Sequence, residues 1–123
     1  MKPRPIYLDL FLIRLPLPGF VSILHRISGF MLYLSIPLLL YLLQDSLSSE
    51  AHFSEFRTML SSLPARLGMI FLTWALSHHV LAGIRVLLLD VDIGISLQSA
   101  RRSSKWVLAA SLLTTLIASL WLA

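Results

Sequence analysis

An all-α membrane protein with three transmembrane helices is the fold class this sequence predicts, and three observations predict it. Of its 123 residues, 57% are hydrophobic and only 13% charged, with a mean hydropathy of +0.83. A soluble domain of this size hides only about two-thirds of the surface its unfolded chain exposes. So apolar a chain must therefore turn much of its surface to lipid. Three stretches, 27–44, 67–84 and 106–123, carry no Asp, Glu, Lys or Arg. At ~1.5 Å per residue each reaches about 27 Å, and one more turn covers a ~30 Å hydrocarbon core. The basic residues gather on alternate sides of these stretches, as they do around spans inserted in a fixed orientation.

Taken in order, the spans are predicted at about 20–44, 66–90 and 103–122. Ahead of the first, Pro16, Pro18 and Gly19 break any helix begun at Tyr7 to Leu15 and allow a fresh start near Phe20. Pro37 should kink the first span and free the carbonyl of Tyr33. The connection to the second span places Phe53, Phe56, Leu60 and Leu63 at helical spacing, with Ser49 as N-cap and Pro64 as a stop. This predicts a short amphipathic helix lying on the membrane surface. Trp106 and Trp121 bracket the third span as interfacial aromatics do.

Lys2, Arg4, Arg14, Arg26, Arg85, Arg101, Arg102 and Lys105 fall on the side of the N-terminus and the second connection, against Arg57 and Arg66 on the other. The excess predicts a cytoplasmic N-terminus and a periplasmic C-terminus. Asp9, Arg14, His25 and Arg26 interrupt any signal-peptide core, so the N-terminus is expected to be retained. No repeat or second domain is visible, and residues 1–123 are expected to form one transmembrane unit.

Composition also excludes chemistries. Without cysteine the chain can build no disulfide, iron–sulfur cluster or thiolate zinc site. Any metal must rest on histidine or carboxylate. The net charge of +4 arises beside apolar spans, which favours lipid headgroups or anionic cofactor groups over nucleic acid.

Against this plain background the polar residues inside the spans stand out. Ser22, His25, Arg26, Gly29 and Tyr33 recur along one face of the first span, just inside its boundary. A charge at the bilayer centre costs about 2.5–3.5 kcal/mol on insertion scales, so such a face normally looks into protein or a polar cavity. An isolated arginine could instead snorkel to the headgroups, but snorkelling requires no neighbouring hydroxyl, imidazole or glycine. In the second span His79 shares a face with Leu72, Ala75, Gly83 and Val86. Small residues a turn either way leave room for a flat macrocycle, and neutral imidazole is a usual axial ligand of haem iron. Small residues at that spacing suit helix packing equally well. His78 is the competing ligand, about 100° away on the face of Ala82 and Arg85, and spacing alone does not choose between the two histidines. Arg85, six residues beyond His79, should lie at the depth of His25 and Arg26, where the three could hold two carboxylates. Ser111, Thr115 and Ser119 form a stripe in the third span that reads as helix packing.

These residues resemble a known family. The run Ser22-Ile-Leu-His-Arg-Ile-Ser-Gly29, followed one span later by His79-Val-Leu-Ala-Gly83-Ile-Arg85 and then Asp90, is similar to the large cytochrome b membrane-anchor subunit of bacterial succinate dehydrogenase. The opening Arg4-Pro-Ile-Tyr-Leu-Asp-Leu10 resembles that family's N-terminal segment, and the likeness covers essentially the whole chain.

The resemblance implies an anchor, not catalytic alone, that receives electrons from an iron–sulfur subunit and passes them to ubiquinone. It would hold one haem b jointly with a second, smaller anchor, in a complex completed by a flavoprotein subunit in the bacterial inner membrane. His79, four residues before Gly-x-Arg, would be the axial ligand of the haem iron. Ser22, Ile23 and Arg26 would line the quinone pocket, and His25, Arg26 and Arg85 would face the haem propionates. Quinone reduction consumes two protons, and Asp90 near the inner boundary is a candidate for their delivery path, with an ordinary solvated loop carboxylate the equal alternative. One departure is that Val86 follows Arg85 where the family often has histidine, so any propionate contact from that position is absent or replaced. A fumarate reductase anchor oxidising quinol would use much the same pocket in reverse. An accessory subunit whose polar residues only join helices is the non-catalytic alternative.

Overall fold

The computed structural model describes residues 15–122. The segments Arg4 to Leu10 and Tyr7 to Leu15, with Lys2, Arg4, Asp9 and Arg14, fall wholly or mainly outside them. Four helices follow one another: α1 (Leu17–Ser46), α2 (Glu50–Leu60), α3 (Leu63–Asp90) and α4 (Leu97–Leu122). Three of them, α1, α3 and α4, are long and apolar enough to span a membrane, and no strand occurs among the described residues. At 30, 28 and 26 residues these helices reach about 45, 42 and 39 Å. Each outruns a ~30 Å core, so its ends stand in the headgroup region or the helix tilts.

The boundaries differ from the sequence expectation mainly at the N-terminal ends, and proline is the reason. Pro16 is the N-cap of α1 and Pro18 lies in its first turn, so these residues open the helix instead of delaying it. Pro64 likewise sits in the first turn of α3. A first-turn proline lacks only an N–H that would have had no partner in the helix, so it is tolerated there. What stops α2 is the break at Ser61 and Ser62, and Ser62 then caps α3 by accepting from the Ala65 N–H at 3.4 Å. Leu63 consequently belongs to α3 and not to the amphipathic stripe. Ser49 caps α2 as expected, its hydroxyl accepting from the His52 N–H at 3.1 Å. Pro37 lies within α1, which continues past it to Ser46.

The α3–α4 turn is a Schellman motif. The Ile93 N–H reaches the Leu88 carbonyl at 2.9 Å and the Asp92 N–H the Leu89 carbonyl at 3.1 Å. Asp92 takes the left-handed position at φ 60°, and Gly94 adopts a second positive φ of 78° two residues on. α4 then begins at Leu97, six residues before the sequence expectation, with Ser96 Oγ accepting from the Ser99 N–H at 3.2 Å. Arg101, Arg102 and Lys105 are thereby carried on the first turns of α4 and not in a loop.

α1, α3 and α4 pack into a bundle whose interior is small and polar. Its buried apolar side chains are Val21, Ala75, Ala82 and Val107, while Ser28, Ser35, Ser104, Ser111 and Thr115 are buried beside them. The large residues, Phe30, Leu40, Leu87 and Leu120 among them, face outward. Lipid is as apolar as leucine, so helices gain little by hiding leucine from it and associate instead through small residues that allow close approach. The hydroxyls of Ser111 and Thr115 return to carbonyls of their own helix, at 3.0 and 2.7 Å, which lets the stripe pack without cross-helix partners. Ala82 is 1% exposed against Val21 and Val107. Ala82→Leu should destabilise the bundle by about 1–3 kcal/mol, read from thermal unfolding in detergent by circular dichroism. A change below about 0.5 kcal/mol would show that the helices do not meet there.

Candidate functional site

The two intramembrane histidines of α3 have opposite surroundings. Ala75, His78, Ala82 and Arg85 form the buried stripe of α3, facing the bundle interior. His78 is 0% exposed, stacks on Trp74 with centroids 5.5 Å apart, and lies against the Val21 backbone of α1. His79, about 100° round the helix, lies half-buried on the seam with α1.

There α1 supplies its contacts. His79 Nδ1 lies 3.1 Å from the His25 carbonyl oxygen and 3.3 Å from Ser28 Oγ. A carbonyl can only accept, so Nδ1 must carry the proton. The Ser28 hydroxyl donates to the same carbonyl at 2.9 Å, leaving its lone pairs free to share the Nδ1 proton. The consequence is a fixed tautomer with the Nε2 lone pair unprotonated, which is the form in which imidazole ligates a metal. The His25 ring stacks on that of His79 at 4.3 Å and 25°, and its Nε2 lies 3.5 Å from where a Cβ on Gly83 would be.

Gly29 makes this approach possible. A Cβ there would stand 2.8 Å from His79 Cε1 and 3.2 Å from Nδ1. Real Cβ atoms essentially never come so near, so any side chain at 29 must displace the imidazole or separate the helices.

The other residues singled out by sequence fall in two places. Ser22 is half-buried and Ile23, Arg26 and Tyr33 are exposed, along the outer flank of α1 away from its buried stripe of Val21, Ser28 and Ser35. Arg26 has no ion pair among the described residues. Arg85 is not brought to His25 and Arg26. It is 8% exposed, its Nε donating to Ser103 Oγ at 3.0 Å and its Nη2 to the Ala100 carbonyl at 3.5 Å, so it is committed to α4. Two residues beyond Gly83 means ~200° round the helix, which separates Arg85 from the His25 side. Ser28 is the site residue to which the sequence assigns no role. Its position one residue before Gly29 is the available signal, but only the helix crossing shows whose imidazole it meets.

As an iron ligand, the half-buried His79 would supply one of two axial positions. Among the described residues no three His, Cys, Asp or Glu side chains gather as a metal-binding group. The groups that would bear on a haem held there are the Nδ1-protonated His79 imidazole and the side chains of His25 and Arg26 on α1, the space beside Gly29 being filled by the His79 ring itself.

The family model for the succinate dehydrogenase/fumarate reductase transmembrane subunit matches residues 1–118. This chain belongs to that family. It is 33% identical over 120 residues to the succinate dehydrogenase cytochrome b556 subunit of Coxiella burnetii, covering 97% of this chain and 96% of that protein. To the subunit of the same name from Paracoccus denitrificans it is 34% identical over 117 residues, covering 93% and 88%.

Because the tautomer of His79 depends on α1 lying close, Gly29→Ala should displace the ring from the His25 carbonyl. Histidine ¹⁵N spectra of the protein in micelles should show His79 protonated at Nδ1 in the parent and a mixed or Nε2-protonated ring in the variant. An unchanged spectrum would mean that Gly29 does not set the contact.

Proposed function

We propose that the chain is the large membrane anchor of a succinate:ubiquinone oxidoreductase, binding haem b with a second small anchor and forming part of the quinone-reduction site. The observation that carries the reading is the His79 imidazole, held by the His25 carbonyl and Ser28 so that Nε2 is free to ligate iron. Both relatives are named succinate dehydrogenase cytochrome b556 subunits, which favours haem b and the direction of succinate oxidation.

When bound, haem b supplies a one-electron carrier beside the path from the iron–sulfur relay to quinone. The chain's own residues do the rest. The hydroxyl of Ser22 donates to a quinone carbonyl, and the permanent charge of Arg26 favours the negative charge that builds on that oxygen as electrons arrive. Ile23 gives the ring an apolar wall. His25 and Arg26 face the propionates, while Arg85 is left to α4. Full reduction takes two electrons and two protons, and Asp90, exposed at the end of α3, marks the end where protons enter. The flavin and iron–sulfur clusters come from partner subunits, since this chain has no cysteine. The proposed setting is a bacterial inner membrane with the N-terminus cytoplasmic, as the distribution of cations favours.

The reduced-minus-oxidised visible spectrum of the purified complex should show a six-coordinate haem b that His79→Ala loses. A six-coordinate haem retained in that variant would move the ligand elsewhere. Arg26→Ala should lower quinone reduction ~10²–10³-fold, as losing one charge-stabilising donor does, while electron transfer from succinate to an artificial acceptor is spared. Unchanged quinone reduction would exclude Arg26 from the pocket.

A further inference from the structure

On the flank of α3 opposite the Gly83–His25 contact, the hairpin with α4 encloses an open cleft of about 360 Å³. Its polar end is made by Arg85, Arg102 and Ser103, and its wall by apolar residues including Leu81, Leu88 and Trp106.

Arg85 is more than nine-tenths buried, yet no carboxylate lies within ion-pair distance of it among the described residues. Its Nε and Nη2 are used by Ser103 and Ala100, which fix the guanidinium plane, whereas Nη1 has no acceptor there. Burying an unpaired cation is costly. The exposed Arg102 adds a second charge, and the N-terminal turn of α4, beginning at Leu97, adds the positive end of a 26-residue helix. The site is therefore complementary to an anion. The wall shows which kind, because Leu81, Ile84 and Leu88 run for about 10 Å along α3 toward the middle of the span. A free inorganic anion has no use for such a wall, and an acyl chain does.

We propose that this cleft seats an anionic glycerophospholipid, with Arg85 and Arg102 on its phosphate and an acyl chain along Leu81, Ile84 and Leu88. The ligand lies across α3 from His79, so it is separate from the haem and quinone site. Its place is at the membrane boundary by the α3–α4 turn, where headgroups lie.

The test uses the complete complex, stripped of lipid in detergent and returned to phosphatidylglycerol, phosphatidylethanolamine or inorganic phosphate. Native mass spectrometry and thermal unfolding are the readouts. The parent should retain phosphatidylglycerol and be stabilised by it well beyond phosphatidylethanolamine, with inorganic phosphate failing to compete. Arg102→Gln should weaken retention about fivefold, the factor expected of one basic residue at a membrane surface. Ile84→Trp fills the apolar wall without touching a cation and should abolish retention in a complex that still assembles, which keeps the test open if Arg102→Gln misassembles. Equal retention of the two lipids, or unchanged phosphatidylglycerol retention in Ile84→Trp, overturns the proposal. Displacement by inorganic phosphate overturns it in favour of a free-anion site.

Discussion

The contact between α1 and α3 at Gly29 is the constraint on which the site depends. In a bilayer no hydrophobic drive presses two apolar helices together, so their separation is set by the side chains at the crossing. Glycine there brings the α1 backbone within hydrogen-bonding distance of an α3 side chain. That proximity turns the His25 carbonyl, already accepting from Ser28 of its own helix, into an acceptor for His79. Tautomer, ring orientation and the free Nε2 follow from one missing methyl group.

The same rule explains the rest of the bundle. Ala75, Ala82, Ser104 and Ser111 are all at or near full burial, while leucines and phenylalanines line the outside. In water such a core would be too poor in apolar area to hold three helices. In lipid it is the arrangement that allows close backbones, and serine hydroxyls that bond to their own helix cost little. Within this core His78 is an exception, a fully buried imidazole with the face of Trp74 as its aromatic contact.

How much of this can be read from sequence depends on periodicity. The three spans are legible because a small soluble domain has no room to bury uncharged runs of that length. The α2 cap is legible because a serine ahead of Glu50 has a known local role. The prolines mislead because their effect reverses with position: Pro18 and Pro64 would break a helix from its interior but begin one in its first turn. The separation of His78 from His79 is also legible, as a rotation of about 100°. Which of the two meets the His25 carbonyl of α1 is not, since that depends on how the helices cross. Arg85 shows the limit most clearly. Depth along the helix puts it level with His25 and Arg26, but depth ignores azimuth, and its azimuth gives it to Ser103 and Ala100 of α4.

That division of azimuth gives α3 two chemically different sides at one end. Toward α1 lie imidazoles, a backbone carbonyl and a hydroxyl, a set that fixes a tautomer and can ligate a metal. Toward α4 lie buried and exposed guanidinium groups with hydroxyls, which no carboxylate of the described residues neutralises. A cation tolerates burial in a membrane only near an anion or water, whereas a neutral imidazole tolerates it with one acceptor. Turning Arg85 away from His79 therefore serves both sides. The guanidinium reaches the boundary where headgroups and water can screen it, and its field is kept from the His79 ring. A cation beside that ring would also raise the reduction potential of any group bound to it, since charge around a redox centre sets how readily it accepts an electron.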